Sequence, residues 1–106
     1  MTKISKKFEL NYQTLSPTIK KNGCTYTLTQ RGQKALIYKQ HYTKSLFYYE
    51  VFLIKIRTER AFNGKTFPAK EKFPHNEAFG KWAWSFRTLE DAEQKFMELE
   101  NSNTLM

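Results

Sequence analysis

At 106 residues the chain has material for one core, and with 40% hydrophobic and 16% aromatic side chains it carries too much apolar mass to stay unfolded. Its net charge of +8 is gathered toward the front: residues 1–46 hold nine Lys/Arg against one acid, and residues 82–106 hold two against five. No apolar run approaches the ~20 residues of a membrane-spanning helix, and the single Cys24 excludes both an internal disulfide and a cysteine-rich zinc site.

Residues 1–11 read as a basic arm, without the apolar stretch a secretory signal requires. Asn22-Gly23 supplies a turn, and Cys24-Thr25-Tyr26-Thr27-Leu28-Thr29 after it alternates with the period of a half-buried strand. This strand pairs with part of residues 12–20, which puts Pro17 at a sheet edge. Cys24 falls on its apolar side and reads as a small buried hydrophobe. A short turn at Arg31-Gly32-Gln33 leads into a strand over 34–41. Residues 46–57 then carry apolar side chains on both faces, Phe52, Ile54 and Ile56 against Tyr49, Val51 and Leu53, the pattern of a central strand covered on both sides.

Residues 58–80 are too long for a hairpin turn and read as a loop rich in Phe, Pro and Lys. Pro68 and Pro74 forbid a regular helix through it and bias Phe67 and Phe73 toward extended backbone. The expectation is that its phenylalanines insert against the second face of the sheet while Arg60, Lys65, Lys70, Lys72 and His75 remain on display. A partner or a second copy of the chain is the competing cover for that face. Trp82, Trp84 and Phe86 alternate on the next strand, with Ala83, Ser85 and Arg87 on its other side. Thr88 is a helix N-cap with Asp91 three residues on, and Glu90, Asp91 and Glu93 suit the positive end of the helix dipole. Leu89, Ala92, Phe96 and Leu99 recur as one apolar stripe. The aromatic strand is read as the wall on which this helix packs, with an exposed base-stacking platform as the alternative. Residues 101–106 form a frayed tail. The fold class is α+β: one domain, an antiparallel meander sheet of four or five strands, and one C-terminal helix packed on one face.

Chemistry is sparse. Asn63-Gly64-Lys65-Thr66 is similar to the end of a phosphate loop, but Glu59 occupies the earlier glycine position. His75 and Glu77 lack companions for a metal site, and no serine or cysteine sits in a nucleophile context. The chain is therefore read as non-enzymatic, without cofactor or metal. Its basic balance points to nucleic acid, DNA or RNA, bound without sequence specificity. The candidate contacts are Lys20, Lys21, Arg31, Lys34 and Lys39 on the first hairpins. Lys55, Arg57, Arg60, Lys65, Lys70 and Lys72 extend them, with Lys39 and Lys55 pointing outward on neighbouring strands. The alternative is a protein-interaction module for an acidic surface or a homodimer. Either acts in a reducing cytoplasm, away from membranes.

Two resemblances bear on these expectations. Residues 79–96 resemble the end of a WGR-type domain: Gly80-Lys81 stands for its Gly-basic pair, Phe86 and Thr88 for its strand end, and Ala92 and Phe96 for its helix. The Trp-Gly-Arg of those domains is Phe79-Gly80-Lys81 in this chain. The resemblance implies a sheet-and-helix module able to contact nucleic acid. Residues 49–56, 67–86 and 88–96 also look like parts of small uncharacterised proteins of bacteriophages and mobile elements, which implies an origin rather than an activity.

Overall fold

The computed structural model describes residues 12–102, so the basic arm and the last four residues of the tail lie outside the described residues. These divide into two compact units: Ser16–Ile54 with residues 73–102, and residues 12–15 with Lys55–Lys72.

The larger unit is a five-stranded antiparallel sheet with one helix. Strands β1 (Thr18–Lys21), β2 (Cys24–Arg31), β3 (Ala35–His41) and β4 (Phe47–Leu53) run in meander order. The last strand of the chain, β9 (Ala83–Phe86), then pairs with β4. Pro17 immediately precedes the edge strand β1, where its missing N–H costs no ladder bond, and its carbonyl accepts from Leu28 N at 2.8 Å. Asn22 and Gly23 turn the first hairpin with φ of 54° and 78°, the left-handed pair that matches strand twist.

Register assigns the faces. Ala35, Ile37, Tyr49 and Val51 share one face with Trp84 and Phe86. There they meet Ala92 and Phe96 of helix α1 (Leu89–Glu100), flanked by Phe47, Leu89 and Leu99. Each large side chain buried in this way contributes on the order of 1.5–3 kcal/mol. The helix starts where Thr88 Oγ1 accepts from Asp91 N at 3.1 Å, relieving one of the donors that helical bonding leaves open. Lys95 Nζ lies 4.2 Å from the Trp84 ring centre and covers that indole from the helix side.

Trp82 departs from the expected alternation. It precedes β9, and its ring meets Phe52 (centroids 6.3 Å apart) and His75 (6.4 Å) on the sheet face opposite the helix. The cause is local: Gly80 has φ of 89°, and Lys81 N and Trp82 N both bond to Ala78 O. The chain is therefore still turning at position 82. That second face packs Leu36, Tyr38 and Phe52 around Phe73, which meets Tyr26, Tyr38 and Phe52 edge-on at 4.8, 6.0 and 5.6 Å. Phe73, from the 58–80 segment, is thus set into this face.

The apolar run over 46–57 is not one strand. The sheet ladder ends at Leu53, opposite Ala35 where β3 begins, with one further bond from Ile54 N to Lys34 O at 2.8 Å. The smaller unit begins there. In it β5 (Ile56–Arg57) pairs with β8 (Lys70–Glu71), and β6 (Arg60–Phe62) pairs with β7 (Lys65–Phe67). Asn63 and Gly64, with φ of 54° and 76°, make the two-residue turn of the second pair. Part of the segment read as loop is thus a regular hairpin. Glu71 is buried, and its Oε1 accepts from Leu15 N at 2.8 Å.

The β2–β3 turn is closed by a residue 65 or more positions away. Glu100, at the end of α1, accepts from Gln33 N at 3.0 Å, Lys34 N at 2.7 Å and Ala35 N at 2.8 Å. Lys34 Nζ also reaches Ser102 O. A Cβ on Gly32 would lie 2.2 Å from Glu100 Oε2 and 2.7 Å from Phe96 Cζ, so only glycine admits the carboxylate this close. Desolvation acts to raise the Glu100 pKa, but the three backbone donors and the Lys34 ammonium outweigh it and hold the carboxyl below its ordinary range.

Candidate functional site

The eleven expected contacts divide between the two units. Five lie on the larger unit. Lys20 and Lys39 share the helix-side face of the sheet, where the register sets Thr18, Thr27 and Lys39 in one row and Lys20, Thr25 and His41 in the next. The Lys39 ammonium sits 4.1 Å from the Phe47 ring centre and 5.6 Å from that of Tyr49, which holds the charge over an aromatic surface. Lys21 points to the opposite face, 5.3 Å from the Phe73 ring centre. Arg31 and Lys34 stand at the β2–β3 turn beside the acidic end of α1.

The other six belong to the smaller unit. Lys55 is not on a strand beside Lys39, because β4 has ended by then. Arg57 is half-buried, and its Nη2 donates to Pro68 O at 3.2 Å, a contact that serves the fold. Lys70 lies on β8, and Lys72 N bonds to Lys55 O at 2.8 Å. Arg60 and Lys65 are brought together on the hairpin. Its register pairs Arg60 with Phe67 and Phe62 with Lys65, and alternation puts these four side chains on one face, Ala61 and Thr66 on the other. Phe62 is 65% exposed, and the Arg60 guanidinium carbon lies 6.0 Å from the Phe67 ring centre. Two rings and two cations thus alternate across a ribbon with a tight turn at its tip. The sequence shows these cations but not their arrangement; the available signal is Asn63-Gly64 flanked by Phe62 and by Thr66-Phe67.

A second feature was missed. On the sheet face away from the helix, a cavity of about 460 Å³ is floored by Tyr26, Gln40 and Glu50 and walled by Phe73, His75 and Phe79. Gln40 Nε2 donates to Tyr26 Oη at 2.7 Å. Glu50 is 94% buried, and its Oε1 has no hydrogen-bond partner among the described residues. Burial pushes its carboxyl up from 4.5 to about 7. Tyr26 is pushed up to about 12, first by burial and then by the negative charge of Glu50 and the nearby Cys24 and Tyr42, against a smaller opposing effect of the Gln40 bond. The signal in the sequence was one acid, Glu50, inside the most apolar strand of the chain.

His75 Nδ1 accepts from Glu77 N at 3.2 Å, so this pair caps a single 3₁₀ turn over Asn76–Ala78. No group of three or more His, Cys, Asp or Glu among the described residues is arranged to hold a metal ion. No helix among them is long and apolar enough to cross a membrane. Comparison with family models, with curated proteins and with solved structures gave no match. The class defined by the structure is a mixed α+β fold, a five-stranded antiparallel sheet with its C-terminal helix packed on one face.

Proposed function

We propose that this chain is a non-enzymatic nucleic-acid-binding accessory protein whose primary contact is the Arg60–Phe67 hairpin. The observation that carries the reading is the face bearing Arg60, Phe62, Lys65 and Phe67. Single-stranded nucleic acid is held where cations track the phosphates and exposed rings accept bases, and this requires no base-specific hydrogen bonds. Phe62, at 65% exposure, offers a ring face on which a base can stack. The Lys20/Lys39 face, with its threonine hydroxyls, is a second surface for the backbone. The likeness of residues 79–96 to the end of a WGR-type domain supports the same class of partner. The likeness to small phage and mobile-element proteins supports a place in the cytoplasm of a host cell.

The test is binding of labelled single-stranded DNA, duplex DNA and RNA across a salt series, with Phe62→Ala and Arg60→Glu/Lys65→Glu variants. Loss of one stacked base predicts a drop of about 1–3 kcal/mol for Phe62→Ala on single strands and less on duplex. No salt-dependent affinity for any of the three would end the proposal. A second reading is favoured by the same exposed rings: Phe62 and Phe67 seat in an acidic protein surface, with Arg60 and Lys65 as flanking charges. It predicts binding to a partner protein that survives nuclease treatment and is lost with Phe62→Ala.

A further inference from the structure

The cavity on the sheet face offers chemistry that the hairpin does not. Its floor holds a carboxyl group, Glu50, with an oxygen that nothing among the described residues satisfies. Buried polar groups are almost always paired, and an exception at the floor of a cavity calls for a ligand or a functional role. The neighbouring Gln40 does not serve, because its amide nitrogen donates to Tyr26 Oη at 2.7 Å and to Cys24 Sγ at 3.8 Å. The walls are aromatic, and Phe79 and Tyr42 are 37% and 48% exposed among the lining residues. At the rim stands the Lys21 ammonium, 5.3 Å from the Phe73 ring centre. From floor to rim the site therefore asks for hydrogen-bond donors, then a flat ring, then an anion. Its volume of about 460 Å³ falls within the ~300–1,000 Å³ of small-molecule sites.

We infer that this cavity binds a guanine base, with the N1–H and N2–H groups donating to the Glu50 carboxylate and the attached phosphate at Lys21. Among the common bases, guanine presents two adjacent donors on one edge, the fork that satisfies both oxygens of a carboxylate as an arginine does. Adenine and cytosine each place an acceptor beside their donor, and uracil has a single N–H between two acceptors. Each of those would set an acceptor against Glu50. The groups facing Glu50 that titrate or carry charge are Lys21 and His75 at the cavity, with Tyr26, Tyr42 and Cys24. Because its carboxyl holds a proton up to about pH 7, docking a donor edge requires that proton to leave for solvent. Guanine affinity therefore rises as pH goes from 6 to 8.

The inference deepens the nucleic-acid reading, and its test separates the two. The 106-residue chain is titrated with GMP, AMP, CMP and UMP at pH 6 and pH 8, followed by calorimetry. Single-stranded uridine oligomers carrying one central G or one central A form the second arm. The expected result is a preference for guanine of about tenfold or more, in keeping with the discrimination of one bidentate contact. That preference disappears in Glu50→Gln, while Phe79→Ala weakens binding to all bases by removing the stacking surface. A G-containing strand bound more tightly than GMP identifies an unpaired guanine in a chain as the ligand, and equal affinity identifies the free nucleotide. Both results support the site. Equal binding of all four bases, no detectable binding of any, or an unchanged preference in Glu50→Gln overturns it. Salt-dependent affinity for uridine strands without guanine preference would overturn the cavity assignment alone and leave the hairpin reading intact.

Discussion

Replacing Glu50 with Gln isolates the most exposed consequence of the buried carboxyl, a stability that falls as pH rises. In the folded protein the carboxyl titrates at about 7 because burial penalises its charge, against 4.5 for an ordinary glutamate. Between those values the unfolded chain has released the proton and the folded chain still holds it. The folded state binds more protons throughout this window, so stability declines as pH climbs from about 4.5 to about 7 and is level above it. At about 1.4 kcal/mol per pKa unit, the decline amounts to roughly 3 kcal/mol, a large fraction of the 5–15 kcal/mol that holds a small domain together. Gln has nearly the same shape and no charge to release. Urea denaturation at intervals from pH 4 to pH 8 gives the two stability curves. Their difference removes every titrating group that both proteins share. The expected difference curve rises in favour of Glu50→Gln by about 3 kcal/mol across the window. Its absolute level is lower by the cost of placing an amide N–H₂ where no acceptor waits, about 1–3 kcal/mol. A flat difference curve would mean that Glu50 ionises freely in the folded protein and that the cavity floor is wet, and the physical reasoning would fall.

Gly32→Ala puts a methyl where Glu100 Oε2 and Phe96 Cζ already stand, at 2.2 and 2.7 Å. A loss of about 1–3 kcal/mol in urea denaturation is expected, and a fully stable Ala variant would contradict the close approach. Glu100→Gln keeps one neutral acceptor oxygen for three backbone N–H groups that now share two, sets its NH2 against the remainder, and should cost about 1–3 kcal/mol at pH 7. Because the folded Glu100 pKa is lowered, its contribution is present above the unfolded value and lost as pH falls through the folded one, so the variant and the parent should converge in acid. Gly64→Ala strains the left-handed turn of the hairpin at φ of 76°, and costs about 1 kcal/mol locally. Amide exchange should quicken at Arg60–Phe67 and stay unchanged in β3 and β4, the elements of the sheet core.

Much of the fold is legible because its signals are local. Thr88 and the Leu89/Ala92/Phe96/Leu99 stripe announce the helix, and the alternation over 24–28 gives the β2 strand with its faces as found. What escaped depends on partners distant in the chain. The run to Arg57 looks like strand throughout, yet a strand lasts only as long as its neighbours, and β3 and β9 end opposite Leu53 and Phe52. Trp82 fits the alternating pattern by residue type, but the φ of 89° at Gly80 keeps the chain turning until Ala83. The Glu100 contact with the turn at 33–35 has no local signature at all. The site followed the same rule. Lysines are visible in a sequence as charge, but their grouping on faces is decided by register. Glu50 is conspicuous among Tyr48, Tyr49, Val51 and Phe52, and only the structure reveals that it floors a cavity.

That grouping turns the net charge into a quantity that can be measured. For single strands the slope of log affinity against log salt is about −0.7 for each phosphate neutralised. If all eleven candidate lysines and arginines acted together, the slope would approach −8. The hairpin alone, through Arg60 and Lys65, gives about −1.5. The proposed hairpin contact predicts the shallow value. Arg57 is tied to the Pro68 carbonyl, Lys34 to the Ser102 carbonyl, and Lys20 and Lys21 point to opposite faces of one strand. If the proposed hairpin is the primary contact, most of the affinity should survive a rise in salt and be lost when Phe62 is removed. A slope near −8 with an inert Phe62→Ala would reverse that ranking, with a diffuse basic surface as the interface and the hairpin outside it.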